Sequence, residues 1–402
     1  MIKNLPYDKI LNYLILLYAF FIPLSLDMLR ILSISMVIIW IFYGNFKEKI
    51  ALIKQEPFFY SIGLYILVLI LALFWTEPEN LRFGIKYFTR YWYLLPMLVI
   101  YTSLDKKYIF PTISAFLLGM FISELVSYSV FFEFIHLDKV PPSDPSPFMQ
   151  HTLYSIFLVF SGGVLLNRML ESHSLKENIV YGVFFTTITV NLFVNSGRTG
   201  QVLFLFVLST VIFSHYKFTL KSFFIAIVLL FTIPYLSYTY SPNFKQRMLQ
   251  SSQNIHDTSY TSSIGVRYGL VIVAKDIFLE NPVFGVGTGD YLDAKEKTID
   301  KNYPDRNRLR HYVHYHNEYA ENIVIAGIIG LLAYLNIFFS LYRITLHDKR
   351  IQTIKNILII TFLLSSLTDA VFHLNRPLSL FALFVGLILA QKRYEQLIKR
   401  ED

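Results

Sequence analysis

The chain has no cysteine, which excludes disulfides, thiolate metal sites and thiol nucleophiles. Charge is scarce as well: Asp, Glu, Lys and Arg make up 16% of its 402 residues, against about 25% in a soluble domain. No Asp-x-Asp pair occurs, which argues against a metal-bridged nucleotide-sugar site. No Gly-Lys-Ser/Thr follows a glycine-rich turn, so no phosphate-binding nucleotide loop is present. Acidic residues are the rarer sign, 28 against 36 basic, for a formal charge of +8. In so apolar a chain that excess reads as orientation charge on loops, and no nucleic-acid partner is expected.

What is abundant is apolar length. Hydrophobic residues are 54% of the chain and the mean hydropathy is +0.48. Runs long enough to cross a bilayer recur from end to end, so the expected fold is all-α and polytopic, with membrane lipids as its surroundings. On a ruler of about 20 residues twelve spans are expected, near 10–25, 28–44, 57–75, 88–103, 109–134, 152–168, 178–195, 200–215, 221–239, 318–342, 354–372 and 377–391. The fifth carries Glu124 and Ser127, which should face protein rather than lipid. The first run passes into the second without a small-residue cleavage site, so no removable leader is expected.

With the N-terminus inside, the cytoplasmic segments hold 19 Lys and Arg and the short opposite segments 7. This predicts that both termini are cytoplasmic. The other ten basic residues fall in one segment from about Ser241 to Tyr315, expected outside the cytoplasm. The chain therefore divides into spans one to nine (1–240), a large outer loop (241–317) and spans ten to twelve with a tail (318–402). Within the loop, 264–279 has helical periodicity, and Asn281-Pro-Val-Phe-Gly-Val-Gly-Thr-Gly289 is a glycine-punctuated turn returning the chain to the membrane.

Chemistry-bearing residues gather at one surface. Asn195-Ser-Gly-Arg-Thr-Gly-Gln201 is a polar break between two spans. Its glycines permit a sharp turn, and Arg198 becomes a fixed donor fork suited to phosphate, though an interfacial arginine can also simply reach for lipid headgroups. Arg267 lies on the expected loop helix, where it is either a solvated charge or a second cation facing Arg198. His311, His314 and His316 lack the spacing of a helix-borne zinc site, so no metal is expected. His316 and Asn317 open an apolar helix, and an imidazole there can take a proton from a hydroxyl near neutral pH. Asp369, His373, Asn375 and Arg376 sit near the last loop, where Asp369 and Arg376 either contact substrate or pair as a strut. Arg82, with Glu77, Lys86 and Arg90, can meet an anionic lipid or anchor a helix end.

His316-Asn317, nine residues, then Gly327-Ile-Ile-Gly330-Leu331 resembles the signature of the O-antigen ligase family, within the wider ligase/polymerase superfamily. Ser196-Gly-Arg198-Thr-Gly200, Arg267-Tyr-Gly-Leu270 and the turn 281–289 look like further family features in the right order, and the twelve-span plan with one large loop also fits. The resemblance implies a metal-independent, inverting membrane glycosyltransferase of the C type. It implies transfer of a glycan from undecaprenyl diphosphate to the lipid A–core of lipopolysaccharide, on the periplasmic face of the bacterial inner membrane. By carry-over Arg198 and Arg267 hold the diphosphate and His316 deprotonates the acceptor. Asn317, Arg82, Arg376 and Asp369 are assigned to substrate binding, and no cofactor is expected.

The nearest rival is a polysaccharide polymerase sharing this chemistry. A protein-glycosylating relative fits less well, because the chain ends soon after the last span. A transporter would place charged pairs or broken helices near the membrane midplane, whereas here the charged motifs cluster at one surface.

Overall fold

The computed structural model describes residues 6–216, 218–240, 245–246, 248–249, 260 and 262–401. Ser241, the expected start of the large loop, lies outside them. Among the described residues helices α1 (Tyr7–Phe21), α2 (Leu26–Phe42), α3 (Phe46–Gln55), α4 (Pro57–Leu71), α5 (Leu81–Tyr87), α6 (Leu95–Ser103) and α7 (Ile109–Phe131) form the first half. Then follow α8 (His151–Glu171), α9 (Leu175–Val194), α10 (Arg198–Tyr216), α11 (Leu220–Tyr240), α12 (Ser263–Glu280), α13 (Tyr291–Asn302), α14 (Glu318–Tyr342), α15 (Lys349–Ser365) and α16 (Asn375–Glu401).

Among the described residues five helices are long and apolar enough to cross a membrane: 106–131, α8, α9, α10 and α14. The bent pair α2 and α3, turned by 115°, makes up to six. A helix stands in each of the twelve expected segments, but several are shorter than a bilayer. The fourth departs furthest: 88–94 is a 3₁₀ turn, and the α-helix starts only at Leu95, with Pro96 in its first turn. A proline there costs no hydrogen bond, since the first N–H groups of a helix have no intrahelical partner. The molecule is a multi-pass membrane protein. Its α2 shows why: Ile31, Ile34, Ile38 and Ile41 are exposed along one stripe, the outward face that lipid covers and water would not.

The interior is aromatic. Tyr65, Tyr334, Phe338, Phe362, Phe372 and Phe381 pack edge-to-face at centroid distances of 5.0 to 6.2 Å, among them Tyr65–Phe372, Tyr334–Phe372 and Phe362–Phe381, the arrangement that ring quadrupoles favour. This cluster lies beneath 366–373 and joins α4, α14, α15 and α16. Buried hydroxyls pair within it, Tyr334 with Ser366 at 2.7 Å and Tyr65 with Tyr91 at 3.2 Å. Glu124 and Ser127 of α7 are both buried, and Ser127 Oγ donates to the Pro145 carbonyl at 2.6 Å.

The glycine turn 281–289 docks on α14. This helix is broken at Ala326 and Gly327, where Gly327 takes φ +61°. Into the break fits the glycine turn, with Val286 N donating to Val324 O at 2.9 Å and Gly287 N to Ile325 O at 3.0 Å. Gly285 (φ +67°) and Gly287 (φ +105°) supply the left-handed backbone the turn needs. A Cβ at Gly285 would come within 2.5 Å of the Val324 carbonyl oxygen, and one at Gly327 would collide with the Val283 carbonyl. Gly327 therefore serves a helix break that receives a loop. Asp290 then clamps that loop to 77–80, accepting from Glu77 N and Asn80 Nδ2, both at 2.8 Å.

Candidate active site

Arg198 is positioned by packing and by a polar turn. Gly197 and Gly200 lie so close to Ser155 on α8 that neither has room for a Cβ. Gly200 N donates to Ser155 Oγ at 3.2 Å. The turn before it is closed by Asn195, whose Oδ1 accepts from Gly197 N at 2.9 Å, and by Asp144, whose Oδ1 accepts from Ser196 N at 3.1 Å. Burial opposes ionisation of Asp144, but His151 at 2.9 Å and the Ser196 bonds outweigh it and hold the carboxyl below its ordinary 3.8.

Arg267 projects from α12, whose start is capped by Ser262 Oγ accepting from Gly265 N at 3.0 Å. Arg198 and Arg267 line one cavity of about 540 Å³, with α15 and the chain after it, through Leu364, Leu367 and Thr368, as another wall. The remaining wall is mostly apolar, including Val202, Phe206 and Val271. Arg267 Nε is buried there without a hydrogen-bond partner. A buried, unsatisfied guanidinium N–H is costly, and an anion in this cavity would satisfy it.

His316 stands beside that wall. Its backbone is left-handed, φ +48°, which is uncommon outside glycine and marks a constrained position. Its N–H donates to His314 Nδ1 at 3.1 Å, so neutral His314 carries its proton on Nε2. His316 Nδ1 is 3.4 Å from Asp369 Oδ1 and is buried, but it is too misaligned to form a hydrogen bond. Asp369 is 4% exposed. Its Oδ1 accepts from the Ala370 N–H at 2.9 Å. Burial lowers His314 to about 4, so it stays neutral at neutral pH. His314, His316 and Asp369 offer ligand atoms within 4.8 Å of one another, a spacing that could hold one metal ion.

Other expected site residues have definite places. Asn317 is the N-cap of α14: its Oδ1 accepts from Ala320 N at 2.9 Å and its Nδ2 donates to Leu367 O at 3.1 Å. Its amide is thus committed to fixing His316 against 365–369. Arg376 is buried at the start of α16, donates to the Phe148 carbonyl and keeps Nε unpartnered. Among the described residues it forms no ion pair with Asp369, which faces the histidines. Arg82 is exposed on α5 and does not line the Arg198–Arg267 cavity.

A buried acid pair beneath the site escaped the sequence reading. Glu321 accepts from Tyr315 N at 3.3 Å and contacts His373 Nδ1 at 2.7 Å, while Glu318 accepts from Phe372 N at 2.9 Å. Two carboxylates in the first turn of an apolar helix were the available signal, since such acids complement the helix dipole. Lys295, buried on α13, was also missed; it donates to the carbonyls of Arg310 and Tyr312 and so tethers the histidine segment.

Fold and site define a multi-pass membrane protein with a paired-guanidinium cavity beside an imidazole–carboxylate cluster. A family model described as O-antigen ligase matches residues 183–335, so this segment is similar to that family. The matched segment contains Arg198, Arg267 and His316. No curated protein matches the chain.

Proposed function

We propose that this protein is an O-antigen ligase. It transfers a glycan from undecaprenyl diphosphate to the lipid A–core of lipopolysaccharide, at the periplasmic face of the bacterial inner membrane. The observation that carries the reading is the cavity lined by Arg198 and Arg267, apolar along its walls and cationic at two fixed points. That combination suits an amphiphile with a diphosphate head and a polyprenyl tail. On the proposed topology, with twelve crossings, cytoplasmic termini and an outer loop over about 241–317, this cavity, His316 and Asp369 lie together on the periplasmic side.

In the reaction the acceptor hydroxyl attacks the anomeric carbon of the lipid-linked sugar, and the bond from that carbon to the diphosphate oxygen breaks. Direct displacement inverts the anomeric centre. The hydroxyl proton passes to His316 through Nε2, because Nδ1 is turned toward Asp369. The Asp369 carboxylate then stabilises the imidazolium that forms. Negative charge gathering on the departing diphosphate is met by the two guanidiniums, preorganised in a poorly hydrated site. The donor carries its own leaving group, so the scheme needs neither nucleotide nor metal.

The test is the lipopolysaccharide profile of a deletion strain complemented with wild type, H316A, R198A or R267A at matched membrane levels. Wild type should restore long-glycan caps, and each variant should leave bare core with lipid-linked polymer accumulating. Caps of a single repeat in the deletion strain would instead make the protein a polymerase.

A further inference from the structure

A second cavity, of about 370 Å³, opens beside His373 and Asn375. It is lined by Arg30, Lys86, Arg90, His373 and Asn375 together with aromatic rings that include Tyr87 and Trp92. It brings together three permanent cations and an imidazole, and no carboxylate lines it. Asp27, paired with Arg30 at 3.0 Å, lies outside the lining. Arg90 is held in place by Tyr87, with its guanidinium carbon 4.0 Å from the ring centroid, and its Nη1 is buried without an acceptor. Lys86 is exposed and forms no ion pair among the described residues. A guanidinium pinned over a ring with one N–H unspent is a prepared anion site.

The cavity is linked to the reaction centre by a run of neighbouring imidazoles. His373 shares it, and its ring lies 5.5 Å from that of His314, which in turn is 4.1 Å from His316. The Arg198–Arg267 cavity, walled by Leu367 and Thr368 next to Asp369, is the other cavity near these histidines. The two differ in kind: the first is mostly apolar, whereas here aromatic faces alternate with charge, a lining that accepts the C–H faces of a sugar and its anionic substituent. Every lining residue of this cavity lies outside the matched segment 183–335, whereas most of the first cavity's lining lies within it.

We infer that the second cavity is the acceptor subsite and recognises an anionic sugar, a phosphate ester or a sugar-acid carboxylate, through Lys86 and Arg90. The inference rests on the ligase reading for the identity of the acceptor.

The test is binding of soluble core oligosaccharide to the purified full chain in nanodiscs. The oligosaccharide is used intact, phosphatase-treated or carboxyl-reduced. Wild type should bind the intact form at least tenfold more tightly than one of the two modified forms, and whichever modification weakens it identifies the anion. K86Q should cut that ratio below threefold, K86R should restore it, and R198Q should keep it. Equal binding of all three forms to wild type, or the same loss in R198Q as in K86Q, would overturn the subsite. Undecaprenyl diphosphate is titrated in parallel: if it fails to bind wild type, the donor reading falls, while the oligosaccharide ratio decides the subsite separately.

Discussion

His316 carries the proposed chemistry, and its surroundings assign a nitrogen to each task. Nδ1 faces Asp369, so Nε2 is left for the acceptor proton. General base catalysis contributes about 10²- to 10⁴-fold, and H316Q should lose transfer by that order while the purified protein keeps its unfolding temperature. D369N should lose less, about tenfold, because it removes the orienting charge but leaves the base; equal activity of D369N and wild type would remove Asp369 from the mechanism. These residues differ in how far the sequence revealed them. His316 was legible from its position at the mouth of an apolar helix, and Arg198 from the glycines around it. Asn317 was visible as a polar residue, but that its amide caps α14 and grips Leu367 depends on 50 residues of intervening chain. Glu318 and Glu321 were in plain view; their partners Phe372 and His373 are local only in space.

At the scale of elements, the break in α14 and the turn before α10 do the positioning. G327A puts a Cβ on a left-handed residue against the Val283 carbonyl. Backbone strain of this kind costs about 1–3 kcal/mol, and the collision adds to it, so a clear drop in unfolding temperature is expected by calorimetry; an unchanged temperature would mean the glycine turn does not dock there. Asp144 gives the α10 turn a pH dependence with a definite sign. Its folded carboxyl lies below the ordinary 3.8, so the stability it contributes is complete above that value and is lost as pH falls through the lower folded value. The gap in unfolding temperature between wild type and D144N should therefore close as pH falls below the ordinary 3.8 and acid protonates the group. Hydrophobic length made the helices legible. The break at Gly327 was not, because glycine serves close packing and left-handed turns equally well and spacing does not separate the two. The 3₁₀ start at 88–94 was hidden for a similar reason, since apolar and aromatic residues there suit either helix.

For the whole molecule, the absence of cysteine becomes an experimental advantage. K139C and K107C can each be the sole thiol of the chain, and the topology proposed here has an impermeant maleimide labelling K139C in intact spheroplasts and K107C only after lysis. Labelling of both from one side would break the alternation on which the shared outer face of Arg198, Arg267 and His316 depends. That shared face was expected from charge distribution, but the meeting of two arginines in one cavity beside His316 joins α10, α12 and the start of α14, and hydropathy has no term for such contacts. The scheme also needs no metal, so chelation should leave transfer unchanged despite the His314, His316 and Asp369 spacing; loss on chelation with recovery on adding a divalent ion would make that cluster a metal centre. The most direct test of the central claim is single-turnover transfer in proteoliposomes, from labelled undecaprenyl-diphosphate glycan to lipid A–core, comparing wild type with H316Q at saturating donor. The account predicts unchanged donor binding with transfer slowed at least 10²-fold. Transfer by H316Q within threefold of wild type would contradict it.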